Sequence, residues 1–159
     1  MNHKRRGNAA PSAPAATDDD AELRAVAAWP VSIGVAAHLS GISPKMLRHY
    51  ESLGLLGAVT RTEGNYRQYS LADVHTLRFI RRSRDMGFGL DAIAELVSLW
   101  HNRRRSSASV KRIAQKHLDE LDLRIEALQA MQRTLSSLLQ LCPGDGRPDC
   151  PILDDLAHP

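Results

Sequence analysis

The alternation of apolar and polar residues becomes regular at Val31 and predicts two short helices joined by a tight turn. Ser32 is placed to cap the first helix, which Gly41 ends. Ser43 is placed to cap the second helix, with Pro44 at its first position, where the missing N–H has no helical partner. Such a pair is typical of a helix-turn-helix, whose second helix enters the major groove of DNA, but it equally fits another helical hairpin.

The next segment favours a two-stranded hairpin and shifts the balance towards DNA binding. Val59 and Thr60 favour a strand, residues 63–65 supply turn chemistry, and residues 66–69 can return as a second strand. A short hairpin after a helix-turn-helix is a wing. Basic residues interleaved with tyrosines in these elements suit contacts with phosphate and sugar. The candidates are Lys45, Arg48 and Tyr50 in the second helix and Arg61, Tyr66 and Arg67 in the wing.

Three more helices are predicted after the wing. Apolar stripes predict helices over residues 71–86 and 90–101, separated by two glycines. Residues 107–141 contain neither Gly nor Pro, and a heptad seam runs along them at alternating steps of four and three. One straight helix of this length would be about 50 Å long, at roughly 1.5 Å per residue. The seam positions are Ala114, Leu118, Leu121, Ile125, Leu128, Gln132, Leu135 and Leu139.

A heptad seam of this length favours a homodimer. The alternative is a helix packed within its own chain, but the preceding region is too small to cover it. A homodimer would also supply two DNA-reading units for a two-fold symmetric site. The spacing leaves open whether the paired helices run parallel or antiparallel.

Composition and charge agree with a small nucleic-acid-binding protein. The 159 residues suffice for one compact unit with an extension. Residues 31–105 carry eleven Lys and Arg against six Asp and Glu, whereas residues 106–159 carry six against eight, so the basic middle suits a polyanion. Residues 1–29 lack a sustained apolar period and are predicted to be a mostly disordered tail. No apolar run approaches the roughly 20 residues of a membrane span, which predicts a cytoplasmic protein without a membrane partner.

The only two cysteines, Cys142 and Cys150, bracket the polar loop CPGDGRPDC near the end of the chain. Its prolines and glycines can hold two thiolates facing each other. Two sulfur ligands favour a soft d10 cation, with Cu(I) the leading candidate and Ag(I) or Au(I) chemically suitable too, whereas zinc normally takes four ligands. Asp145, Asp149 and His158 could complete a harder site for a divalent ion, and paired thiols can also act as a redox sensor.

Catalytic motifs are missing from the chain. There is no Ser/His/Asp constellation and no phosphate-binding glycine loop, and the seven histidines are scattered, so an enzyme is not expected. The fold is predicted to be mainly α. Its predicted parts are a tail over 1–29, a winged helix-turn-helix DNA-binding domain with connecting helices over 30–105, a dimerisation helix over 106–141, and a metal-binding loop with a short helix over 142–159.

From Val31 to Leu156 the chain resembles the MerR family of transcription regulators. The segments LRHYESLGLL, GNYRQYS and RDMGFGLDAI mark the family, and CPGDGRPDCPI marks its copper-efflux (CueR-like) branch. Two features depart from the family pattern: the tail of about 29 residues precedes the usual start, and Pro148 stiffens the loop where a small residue is expected.

The resemblance implies a site shared between two protomers. The dimer helices would be antiparallel, which places Ser107 at the start of one helix beside the cysteine loop of the other protomer. The resemblance implies a Cys ligand at this position in family members that sense divalent ions and a Ser in monovalent sensors. Ser107 therefore agrees with a site of two ligands for one Cu(I) per protomer. The resemblance also supports the six DNA-contact candidates and adds Arg84 as a backbone-contacting residue.

The mechanism implied by the resemblance is activation by promoter distortion. The dimer would bind double-stranded promoter DNA whose spacer is too long, and in its metal-bound state it would bend and undertwist that DNA so that RNA polymerase engages both promoter elements. Metal-efflux or metal-tolerance genes are the implied targets. The alternatives on the same fold are a sensor of Zn, Cd or Hg and a thiol redox regulator.

Overall fold

The computed structural model describes Leu23, Ala25 and residues 28–102, 106–142 and 150–157. The chain divides into two compact units, Met1–His101 and Asn102–Pro159, with the boundary slightly before the predicted one after residue 105. The first unit contains β1 (Val31–Ser32), α1 (Ile33–Ser40), α2 (Pro44–Ser52), β2 (Thr60–Arg61), β3 (Arg67–Tyr69), α3 (Leu71–Asp85) and α4 (Leu90–His101). The second contains α5 (Ser107–Leu141) and α6 (Pro151–Ala157).

Local capping defines the turn between the two helices of the helix-turn-helix. Gly41 ends α1 in the left-handed region, at φ 67°, and a Cβ there would collide with the guanidinium of Arg81. The Ser43 hydroxyl accepts a hydrogen bond from Met46 N at 3.4 Å, which confirms the predicted cap of α2. Ser32 occupies the predicted N-cap position of α1 with an extended backbone, but within the described residues its side chain makes no capping hydrogen bond.

The three strands form a small antiparallel sheet of order β1-β3-β2. The strands β2 and β3 form the predicted hairpin, with Thr60 opposite Gln68. The strand β1 was not predicted; it pairs Val31 with Tyr69 and so ties the start of the domain to the wing. The wing is therefore anchored on one side by β1 instead of extending alone into solvent.

The hydrophobic core lies between the sheet and the helices of the first unit. The helix α3 packs against both α1 and α4, and its apolar stripe of Val74, Leu77 and Ile80 is fully buried. The helix starts at a capping box, in which the Ser70 hydroxyl accepts from Asp73 N and the Asp73 carboxylate accepts from Ser70 N. This rigid core fixes the face of α2 that remains exposed.

The predicted tail lies mostly outside the described residues. Its disorder therefore stays a prediction, except at Leu23 and Trp29, which pack against the core. Leu23 is helical and only 1% exposed, as part of the hydrophobic core, and Trp29 packs against the same core. The tail lacks a sustained apolar period, so these isolated apolar residues gave no local signal of packing.

The second unit is built on α5, a helix of 35 residues with the bounds predicted from the sequence. Ser106 caps it, its hydroxyl accepting from Ala108 N at 3.1 Å. The short helix α6 packs against α5. Among the described residues, no helix has the length and apolar character needed to cross a membrane.

Candidate DNA interface and candidate metal site

The recognition helix, α2, presents a basic face. Leu47 and Tyr50 point into the core, and this leaves Lys45, Arg48 and His49 exposed on the other side. Two of the three predicted contacts of this helix, Lys45 and Arg48, are therefore accessible to a polyanion. The prediction that Tyr50 contacts DNA is corrected by its burial. Tyr50 is 5% exposed and belongs to the core, so it does not offer an exposed aromatic contact.

The wing is shaped by a tight turn that exposes Tyr66. Asn65 takes a left-handed conformation, at φ 62°, and Thr62 N donates to the Tyr66 carbonyl at 2.9 Å. As a result Tyr66 is 75% exposed at the tip of the hairpin. Arg61 is also exposed, and its Nη1 donates to Asn65 Oδ1 at 2.9 Å, which holds the guanidinium beside the turn.

Among the described residues, Arg67 is the one wing candidate with a charged partner. Its Nε donates to Glu51 Oε2 at 2.7 Å, so that β3 is joined to the end of the recognition helix. The hydrogen bond with Glu51, followed by the negative charge of that carboxylate, raises the pKa of Arg67 above its ordinary value. Burial, followed by the negative charge of Glu51, raises the pKa of Tyr69 in the adjacent core. Glu51 was not predicted to matter, although it is the one acidic residue of α2.

Arginines of α3 act differently from one another. Arg78 Nε donates to the Leu39 carbonyl at 2.9 Å, and Arg81 donates to the Ser40 carbonyl at 3.5 Å. Both cations thus bind the carboxyl end of α1, where helix carbonyls lack partners. Arg84, the predicted backbone-contacting residue, is exposed in the last turn of α3.

The two cysteines stand at helix ends. Cys142 ends α5, its N–H donating to the Leu138 carbonyl at 3.1 Å, and the carbonyl of Cys150 accepts from Asp154 N at 3.0 Å in the first turn of α6. Both thiols are free and half-buried. Residues 143–149 and 158–159 lie outside the described part, and with them the harder ligands predicted at Asp145, Asp149 and His158 and the expected effect of Pro148.

The donor set fits a soft cation held by sulfur. The helices α5 and α6, which carry the two cysteines at their ends, pack against each other. Among the described residues, no group of three or more His, Cys, Asp and Glu side chains is placed to hold a metal. Ser107, the predicted selectivity residue, is exposed at the first position of α5.

These features define a DNA-binding protein of the winged helix-turn-helix class. Two family models match the chain: the MerR family regulatory protein over residues 32–69, and MerR, DNA binding over residues 74–138. The chain belongs to the MerR family of transcription regulators, and it is a regulator of transcription rather than an enzyme.

Similar proteins include a regulator named for heavy metals and a regulator solved in complex with lead(II). The chain is 50% identical over 128 residues to Heavy metal-dependent transcription regulator 2 of Rhizobium meliloti, a match that covers 80% of this chain and 87% of that protein. It is 37% identical over 127 residues to the HTH-type transcriptional regulator CueR of Escherichia coli, covering 80% and 94%. Among solved structures it is similar to the transcription regulator PbrR691 from Ralstonia metallidurans CH34 in complex with lead(II), with a TM-score of 0.69, 30% identity, and coverage of 79% and 98%.

Proposed function

We propose that this chain is a Cu(I)-responsive activator of metal-efflux or metal-tolerance genes that binds promoter DNA as a homodimer. The observation that carries the proposal is the pair of free, half-buried thiols at Cys142 and Cys150, anchored at the ends of α5 and α6. Two thiolates match the linear coordination that Cu(I), Ag(I) and Au(I) accept. The relative named for heavy metals supports a metal response in this chain.

The exposed heptad seam supports the homodimer. In a single chain the apolar side chains along one stripe of α5 remain 48–65% exposed, over a helix about 50 Å long at roughly 1.5 Å per residue. A second copy with the same stripe covers this surface with matching knobs and holes. These exposed seam residues are Leu118, Ile125, Leu128, Leu135 and Leu139.

An antiparallel pairing brings the selectivity residue to the cysteines. When two such helices overlap fully and run in opposite directions, the first residue of one lies opposite the last residue of the other. Ser107 of the partner subunit then stands beside Cys142, whereas a parallel pair separates the two by about 50 Å, the length of the helix. A serine hydroxyl at that point adds no third thiolate, which keeps the site selective for a monovalent ion. A divalent sensor is the second candidate, favoured by the lead(II) complex of the relative PbrR691.

The DNA interface consists of the exposed basic face of α2, the wing and Arg84. The two copies in a dimer present two such surfaces, which fits a two-fold symmetric operator. Binding of the cation at the dimer ends favours one arrangement of these surfaces over another, and the favoured arrangement bends and undertwists the promoter for RNA polymerase. The deformation of DNA costs a few kcal/mol, which contacts specific to the metal-bound state must offset.

Replacing Arg48 with Gln is expected to weaken operator binding about tenfold or more, because one phosphate contact is lost. The salt dependence of binding should fall by about one counterion per protomer for the same reason. The operator duplex is selected with the unaltered protein from a random-sequence library, and binding is measured by fluorescence anisotropy at several salt concentrations. Arg124→Gln is the matched control, since Arg124 is an exposed arginine of α5 outside the interface. Equal effects of the two substitutions would show that Arg48 contributes only net charge.

A further inference from the structure

The ion pair between Glu51 and Arg67 joins the recognition helix to the wing. The two residues are 16 positions apart in the chain, and their side chains are only 22% and 30% exposed. Solvent and salt screen a partly buried pair less than a surface pair, so the attraction between its two charges is stronger. A movement of the wing relative to α2 would break this contact.

The register of the sheet places two like charges opposite each other, and the contact with Glu51 offsets their repulsion. Arg61 and Arg67 are directly opposite each other on β2 and β3, where like charges repel. Asn65 holds the guanidinium of Arg61 at 2.9 Å, and Glu51 holds that of Arg67 at 2.7 Å. Each cation is therefore drawn to its own partner, and the two charges are kept at separate, fixed positions on the basic surface.

We propose that Glu51 is a positioning residue of the DNA interface: its carboxylate orients the guanidinium of Arg67 and fixes the wing against the recognition helix. The inference rests on the DNA contact proposed above for Arg67. The ion pair uses Nε of Arg67, and in the part of the chain that the structure describes its two terminal nitrogens have no hydrogen-bond partner, which leaves them to a phosphate oxygen.

The direction in which operator affinity changes when Glu51 loses its charge distinguishes a positioning role from a simple effect of net charge. A carboxylate next to a DNA-binding surface repels phosphate, so the loss of its charge would by itself strengthen binding. A positioning role gives the opposite result, because without Glu51 the guanidinium of Arg67 samples other rotamers and the wing loses its tie to α2.

The test is a double-mutant cycle on the full chain, with a selected operator duplex as the probe. Glu51→Gln keeps the size of the side chain but removes its charge, and we expect operator affinity to fall about three- to tenfold. In the Arg67→Gln background the same substitution is expected to change affinity less than about twofold, because there is no guanidinium left to orient. Glu51→Gln and Arg67→Gln should lower the salt dependence of binding by the same amount.

Glu63→Gln is the matched control, since Glu63 is an exposed acidic residue in the turn of the wing. It removes the same charge and should leave affinity unchanged or stronger. Thermal unfolding is followed for every variant. Glu51→Asp keeps the charge but shortens its reach, and it should show an intermediate loss of operator affinity. This variant replaces Glu51→Gln if Glu51→Gln does not fold.

Two results would overturn the proposal, and they differ from each other. If Arg67→Gln leaves operator affinity unchanged, the DNA contact of Arg67 fails and the positioning role of Glu51 fails with it. If Arg67→Gln weakens binding but the effect of Glu51→Gln is absent, is a gain, or adds fully to that of Arg67→Gln, then only the positioning role is wrong.

Discussion

Replacement of Cys142 and Cys150 by Ser, singly or together, is expected to abolish Cu(I)-dependent activation. Operator affinity should change less than about twofold, as for substitutions away from the core. A serine hydroxyl does not supply the soft thiolate that Cu(I) requires. Both cysteines are in the second unit, whereas the DNA-contact candidates are in the first. The measurement is in vitro transcription from a promoter that contains the selected operator, with and without Cu(I), beside a binding assay on the same samples.

Asp155→Asn is the control for the cysteine variants. Asp155 is an exposed carboxylate of α6, close in sequence to Cys150, and its amide analogue should leave activation intact. Normal copper-dependent transcription by the double serine variant would rule out the two-thiolate site. Loss of activation in Asp155→Asn as well would indicate a harder ligand set, as expected of a divalent sensor.

Leu128→Lys is expected to convert the dimer into monomers and to remove high-affinity operator binding. Leu128 occupies the middle of the heptad seam, so each dimer loses two buried leucines and gains two buried charges. The leucines alone account for about 3–6 kcal/mol at about 1.5–3 kcal/mol each, which weakens dimerisation by about 100-fold or more. Sedimentation equilibrium measures the monomer–dimer constant, and anisotropy measures operator affinity at the same protein concentrations.

Leu123→Lys provides a close control on the same helix. Leu123 is 68% exposed in the single chain, against 64% for Leu128, but it lies off the heptad seam. Only the position relative to the seam distinguishes the two substitutions, and Leu123→Lys should leave both constants near their original values. If the two variants dimerise equally well, another surface forms the dimer.

Helix boundaries were largely predictable because they depend on local chemistry. The turn at Gly41 and the cap at Ser43 follow from backbone conformation and side-chain hydrogen bonds within a few residues. The helix α4 has the predicted bounds, Leu90–His101, and α5 extends over the whole stretch without Gly or Pro. These elements need no information about distant residues.

Features that depend on distant residues were missed. The strand β1 has two residues and no alternation of its own, and it becomes a strand only by pairing with Tyr69. Tyr50 was assigned to the DNA-binding face because a short helix with several polar residues does not reveal which side is buried. The contact of Glu51 with Arg67 joins positions in two different elements, and no local pattern indicates it. For the cysteines, the pattern of the loop suggested the chemistry, while the structure adds their anchoring at two helix ends.

The most direct test of metal sensing is an anaerobic titration of the reduced full chain with Cu(I) and, separately, with Zn(II), each against a competing chelator. Absorption from sulfur-to-metal charge transfer and the metal content after desalting are the readouts. The two-thiolate site predicts tight binding of one Cu(I) per protomer, its loss in the double serine variant, and weak binding of Zn(II). Tight Zn(II) binding, or the absence of Cu(I) binding by the reduced protein, would contradict a Cu(I) sensor.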